Sequence, residues 1–112
     1  MKRALLISLL AFSAHAKSLD ADKIANAIYR AEGGAHTRFP YGVMSVKAAN
    51  ANEARHICIL TIQNNWQRWQ AAGGHTRACG DFIDFLADHY CPPSVDPVGN
   101  ANWKRNVKFF LK

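Results

Sequence analysis

Carboxylates are scarce in this chain of 112 residues, where eight Asp and Glu stand against 14 Lys and Arg. With so few acids, any acid–base chemistry must fall to a short list of candidates. Long apolar runs are missing too. The longest uncharged one, Ala4–Phe12, falls well short of the roughly 20 residues that cross a bilayer, so no stable membrane insertion is expected. Close Cys or His pairs with ligand spacing are absent, which argues against a zinc site. His36, His56, His75 and His89 are likewise not spaced as metal ligands or as a base–nucleophile pair. No repeat, linker or low-complexity stretch divides the chain, so one domain is expected.

At the N-terminus, Lys2 and Arg3 precede the apolar run, and Ala14-His15-Ala16 puts small residues at the −3 and −1 positions of a cleavage site. Residues 1–16 therefore read as a secretory signal peptide, with export across the inner membrane and a periplasmic location expected. Residues 17–112 form the working domain. Loss of Lys2 and Arg3 lowers the formal charge from +6 to about +4, which suits an anionic partner such as nucleic acid, an anionic membrane or cell-wall peptides. A domain this small buries only about 60–65% of its unfolded surface and gains from cross-linking. The three cysteines, Cys58, Cys79 and Cys91, are an odd number for an oxidising compartment. Cys58 lies on an apolar helical stripe and Cys91 ends a helix, so a Cys58–Cys91 bridge is favoured, leaving Cys79 free.

The pattern predicts a mainly α domain of four helices. The first covers about Asp20 to Glu32, with Asp20 as N-cap, Leu19 stapled to Ile24, and apolar residues at Ile24, Ala27, Ile28 and Ala31. Gly33-Gly34 ends it. Arg38-Phe39-Pro40-Tyr41-Gly42 reads as a turn, and Val43, Met44 and Val46 as a short strand or extended segment. A long helix follows over Ala51 to Ala71 and stops at Gly73-Gly74. A third starts at Asp81, with Asp84 at the capping-box position, and stops at Cys91-Pro92-Pro93. After a loop at Ser94–Gly99, the last helix spans about Ala101 to Leu111, burying Trp103, Val107, Phe110 and Leu111. Trp66, Trp69 and Trp103 read as core rather than as sugar platforms.

Glu32 fits a structural explanation least well. It closes the first helix, where the partial negative charge of the macrodipole disfavours a carboxylate. It also follows Ile28 by four, leaning toward the apolar stripe. Both features raise its pKa, and a carboxyl kept protonated near neutral pH can protonate a glycosidic leaving oxygen. The alternative is an ordinary solvated helix-end glutamate.

The segment Ala27-Ile28-Tyr29-Arg30-Ala31-Glu32-Gly33-Gly34, with Gly42-Val43-Met44-Ser45 after it, resembles the catalytic start of the lysozyme-like lytic transglycosylases. There a helix ends in the catalytic glutamate, and a Gly-Leu-Met-Gln-type turn follows; Ser45 stands here where glutamine is usual. His56-Ile57-Cys58, Asp81-Phe82-Ile83-Asp84-Phe85-Leu86, Tyr90-Cys91-Pro92-Pro93 and Asn102-Trp103-Lys104-Arg105-Asn106-Val107 are similar to small exported or phage-related members. The resemblance implies a lysozyme-like helical fold acting on the MurNAc–GlcNAc strands of peptidoglycan without a cofactor. Glu32 would serve first as acid and then as base.

Among the other carboxylates, Asp20 and Asp22 begin the first helix, about 15 Å or more from its end, and Asp81 and Asp84 are explained by capping. Glu53 and Asp96 stay open as partners. One acid without an obvious second suits a transglycosylase, in which the muramyl C6 hydroxyl attacks in place of water, better than a two-carboxylate hydrolase. Substrate contacts are expected from Tyr41, Arg38, Gly42, Ser45 and Asn106. For Tyr41 and Asn106 packing is an equal alternative, and for Arg38 simple solvation. A monomer that binds no nucleic acid is expected. The rival readings are a catalytically inactive wall-binding module and a basic helical interaction protein.

Overall fold

The structure, a computed structural model, describes residues 19–36, 40–42, 50–74 and 81–112. Its helices are α1 (Ala21–Ala31), α2 (Ala51–Ala71), α3 (Phe82–Tyr90) and α4 (Pro97–Leu111), with short 3-10 turns at Gly34–His36 and Pro40–Gly42. Among the described residues there is no strand, and the fold is mainly α. The expected signal peptide, Cys79 and the extended segment expected around Val43–Val46 lie outside the described residues.

Each of these four α-helices begins on an Asp or Asn whose side-chain oxygen accepts a first-turn backbone N–H. Asp20 accepts from Lys23 at 3.0 Å, Asn50 from Glu53 at 2.9 Å, Asp81 from Asp84 at 3.1 Å and Asp96 from Gly99 at 2.8 Å. Such a cap contributes about 1 kcal/mol. The last of them corrects an expected boundary. Ser94–Gly99 is not all loop, because Asp96 caps α4 with Pro97 at its first position, where proline's missing N–H is not needed.

Each helix sends at least one side chain fully out of solvent: Ile28 from α1, Cys58 and Ile62 from α2, Leu86 from α3 and Val107 from α4. α1 packs most extensively on α4 and next on α2, and its buried Ala25 and Ala27 let those neighbours approach closely. Trp66, Trp69 and Phe82 form an aromatic cluster with ring centroids 5.1–5.6 Å apart, closing α2 against the start of α3. This is the packing role expected of the first two tryptophans. The buried Asn100 donates from its amide nitrogen to Asp88 Oδ1 at 3.1 Å and to the Cys91 carbonyl at 2.8 Å. The end of α3 is thereby tied to the first turn of α4.

The expected Cys58–Cys91 bridge is absent, and both are free thiols. Tyr90 is the last residue of α3, and at Cys91 the backbone leaves the helix with φ −149° and ψ 79°, so the two side chains part. Tyr90 takes the inward place, donating its hydroxyl to Cys58 Sγ at 3.3 Å, while the Cys91 thiol turns to the Asp96 carbonyl at 3.9 Å. Burial pushes the Cys58 thiol up to about 11, so it stays protonated and unreactive at neutral pH.

The α4 boundary can be checked directly. Asp96→Ala should destabilise the domain by about 1 kcal/mol, read as a lower urea midpoint with unchanged slope, whereas a loop aspartate would leave the midpoint in place.

Candidate active site

α1 ends where the sequence places its one anomalous acid. The Glu32 backbone N–H donates to the Ile28 carbonyl at 2.9 Å, and Gly33 and Gly34 then reverse the chain at φ +101° and +57°. Gly34 does not open the approach to the carboxylate. It is buried, and a Cβ there would sit 3.1 Å from the Tyr29 ring. Arg30, the basic residue in the last turn of α1, lies over Phe110 with its guanidinium 4.7 Å from the ring centroid.

Among the described residues, the groups that meet the Glu32 carboxyl are neutral. Trp103 on α4 donates its indole N–H to Glu32 Oε2 at 3.2 Å. Tyr90 stacks on that indole, with centroids 5.1 Å apart and planes 19° apart, fixing its orientation. Gly42 closes the other side, since a Cβ on it would lie 2.7 Å from Glu32 Oε2 and 3.2 Å from the Tyr90 ring. Only glycine fits here, both for that approach and for its φ of +66°. No Lys or Arg forms an ion pair with Glu32 among the described residues. Burial raises the Glu32 pKa above its ordinary value, and the Trp103 hydrogen bond lowers it in part.

All eight carboxylates lie among the described residues, and their surroundings separate them. Asp20, Asp81 and Asp96 cap helices. Asp22 pairs with Arg55 at 3.2 Å, Asp84 pairs with Lys108 at 2.9 Å, and Asp88 accepts from Asn100. Glu53 is exposed at the start of α2. Glu32 alone is drawn from water toward neutral partners.

The remaining expected contacts divide. Gly42 is at the site. Tyr41 is not a sugar platform, because it is only 8% exposed. Its ring packs 5.0 Å from Tyr29 and its hydroxyl accepts from Arg55 at 3.4 Å. Tyr41 also holds φ +69°, a strain on the order of 1–2 kcal/mol for a side chain with a Cβ. Asn106 is exposed on α4, three residues beyond Trp103. Arg38 and Ser45 lie outside the described residues. Trp103 and Tyr90 were not expected at the site; their helical spacing marks them as core, and nothing in that spacing reveals where an indole N–H points.

Two surface pockets lie elsewhere. One, of about 410 Å³, is bounded by Leu19, Ile24, Trp66, Phe82 and Lys108, and the other, of about 380 Å³, by Asn65, Arg68, Phe85, Asp88 and His89. Neither includes Glu32. Among the described residues no group of three or more His, Cys, Asp or Glu is placed to hold a metal ion, and no helix is long and apolar enough to cross a membrane. Comparison with family models, curated proteins and solved structures found no match.

The raised pKa has a consequence for stability with a definite sign. Below the ordinary value of 4.5 Glu32 is protonated in both folded and unfolded chains and contributes nothing. As pH rises from there to the raised folded value, the unfolded chain ionises first and folding is increasingly opposed; above it the penalty is constant. Glu32→Gln should therefore match the wild type in Tm at acid pH and exceed it at neutral pH. Equal Tm values throughout would mean that the carboxyl is solvated.

Proposed function

We propose that the protein cleaves the MurNAc–GlcNAc backbone of peptidoglycan as a lysozyme-like lytic transglycosylase, with Glu32 as its catalytic acid and base. One observation carries the reading: of eight carboxylates, only Glu32 is half-buried against neutral partners, an environment that raises its pKa and favours the proton-donating form. The resemblance of the Glu32 and Gly42 segments to that superfamily supplies the substrate class, and the periplasm is the expected compartment.

In this scheme Glu32 gives its proton to the bridging glycosidic oxygen as the bond to the muramyl anomeric carbon breaks. The resulting carboxylate, still bonded to the Trp103 indole, accepts the proton of the muramyl C6 hydroxyl while that oxygen attacks the anomeric carbon. A 1,6-anhydro ring forms and Glu32 returns to its acid form. No second carboxylate is required. The engaged state of Asp22, Asp84, Asp88 and Asp96 favours this route over hydrolysis.

Purified sacculi should lose turbidity with the wild type and not with Glu32→Gln, while Glu53→Gln keeps most activity. Released muropeptides should carry 1,6-anhydro ends, lighter by one water than reducing ends. Predominantly reducing ends labelled by heavy-oxygen water would make the enzyme a hydrolase, and binding without cleavage would make it a wall-binding module. Activity should fall as pH rises through the Glu32 pKa, and Trp103→Phe, which removes a bond that lowers that pKa, should move the fall to higher pH.

A further inference from the structure

We propose that Arg55 is the positioning residue of the site, holding the Tyr41–Gly42 turn down on the Glu32 carboxyl from the far side of the turn. The proposal deepens the reading of Glu32 as a catalytic acid and rests on it for its link to catalysis.

Tyr41 and Gly42 both hold left-handed backbone, at φ +69° and +66°. Glycine accepts this freely, but tyrosine does not, so neighbouring groups must hold Tyr41 there. Arg55 is placed to do so. Its Nη1 donates to the Tyr41 hydroxyl at 3.4 Å and to Asn26 Oδ1 at 2.8 Å, and its Nη2 donates to Asp22 Oδ1 at 3.2 Å. The guanidinium also lies 5.8 Å from the Tyr41 ring centroid, within cation–π reach. Asp22 and Asn26 are one turn apart on α1, the helix that ends in Glu32. The planar fork thus references the turn to the helix carrying the acid.

The next residue along, Gly42, is the one whose backbone lies against Glu32 Oε2. If Arg55 is removed, Tyr41 is free to relax toward negative φ, Gly42 lifts from the carboxyl, and water reaches Glu32. A lysine retains the charge but not the two-nitrogen fork, so it should hold the turn only in part.

Among the described residues, the groups at Glu32 are Trp103 of α4, Tyr90 of α3 and the turn itself, with the Cys58 and Cys91 thiols close enough to feel its charge; all are neutral near pH 7. Arg55 is not among the direct causes of the Glu32 pKa. Two roles for Arg55 then have opposite signs. A direct attraction of charges, once lost, would raise the Glu32 pKa. Loss of positioning admits water and lowers it.

The test is an NMR titration of Glu32, followed through its side-chain carboxyl carbon and the Trp103 indole N–H, in folded variants of the intact chain. Arg55→Ala should lower the Glu32 midpoint toward the ordinary carboxylate value, with Arg55→Lys between it and the wild type. Tyr41→Phe, which changes no charge at neutral pH, should shift the midpoint the same way. Asp22→Ala, which cuts only the tie to α1's first turns, should shift it least. On peptidoglycan, Arg55→Ala should reduce kcat by roughly 100-fold with little change in KM, the scale of a small misplacement of a catalytic group. A raised midpoint, or an unchanged one in both Arg55→Ala and Tyr41→Phe, would overturn the proposal. The titration reads out whether or not the wild type cleaves peptidoglycan, so a failure of the catalytic reading is distinguishable from a failure of positioning.

Discussion

Withdrawal of one carboxyl from water organises this small domain. An isolated carboxylate is costly to bury, and an acid left without a cation responds by holding its proton. Glu32 is placed in that position by three elements. α1 ends on it, α4 brings an indole N–H to one oxygen, and the Pro40–Gly42 turn closes against the same oxygen. The indole N–H is a neutral donor, so it satisfies the oxygen without stabilising the anion as strongly as an arginine would. Desolvation therefore outweighs the hydrogen bond, and the pKa stays raised.

The rest of the fold follows from keeping those three elements in register. α1 and α4 form the most extensive helix pair, and this pair carries the Glu32–Trp103 bond. Tyr90 serves twice: its face orients the indole and its hydroxyl reaches the Cys58 sulfur on α2. Burial holds the Tyr90 phenol well above its ordinary range, so it remains a neutral donor throughout the useful pH range. The absence of a Cys58–Cys91 bridge is consistent with this use of space, since the inward position such a bridge needs is taken by a ring that supports the site.

Local chemistry made most of the architecture legible in the sequence. Asp20, Asn50 and Asp81 before apolar-periodic stretches mark helix starts, and the glycine pairs after Glu32 and Ala72 mark stops; α2 spans the expected residues. Asp96-Pro97 carries the same kind of start signal, yet Gly99 and Asn100 beside it look like loop. The side chain of Asn100 in fact secures the junction by capping the end of α3. The cysteine pairing was not legible, because spacing along a chain does not say which of two adjacent residues faces inward. Glu32 stood out through helix position and periodicity, both local properties. Trp103, Tyr90 and Arg55 did not, since their roles arise from where residues 14 to 71 positions apart meet.

That division explains why the sequence left two roles open for Tyr41, sugar contact and packing. In the chain Tyr41 is an aromatic in a proline–glycine turn, a combination that suits either a sugar-stacking loop or a packed one. The distinction depends on what covers the ring, here Tyr29 from α1 and Arg55 from α2. With its ring buried and its backbone in a disfavoured region, Tyr41 transmits the geometry of the helix pair to Gly42 instead of meeting a ligand. A turn held this way has little freedom to sag, because relaxing φ at Tyr41 would expose its ring and break its bond to Arg55. Strain at one residue is thus converted into a fixed distance at the next, and that distance keeps water from the acid.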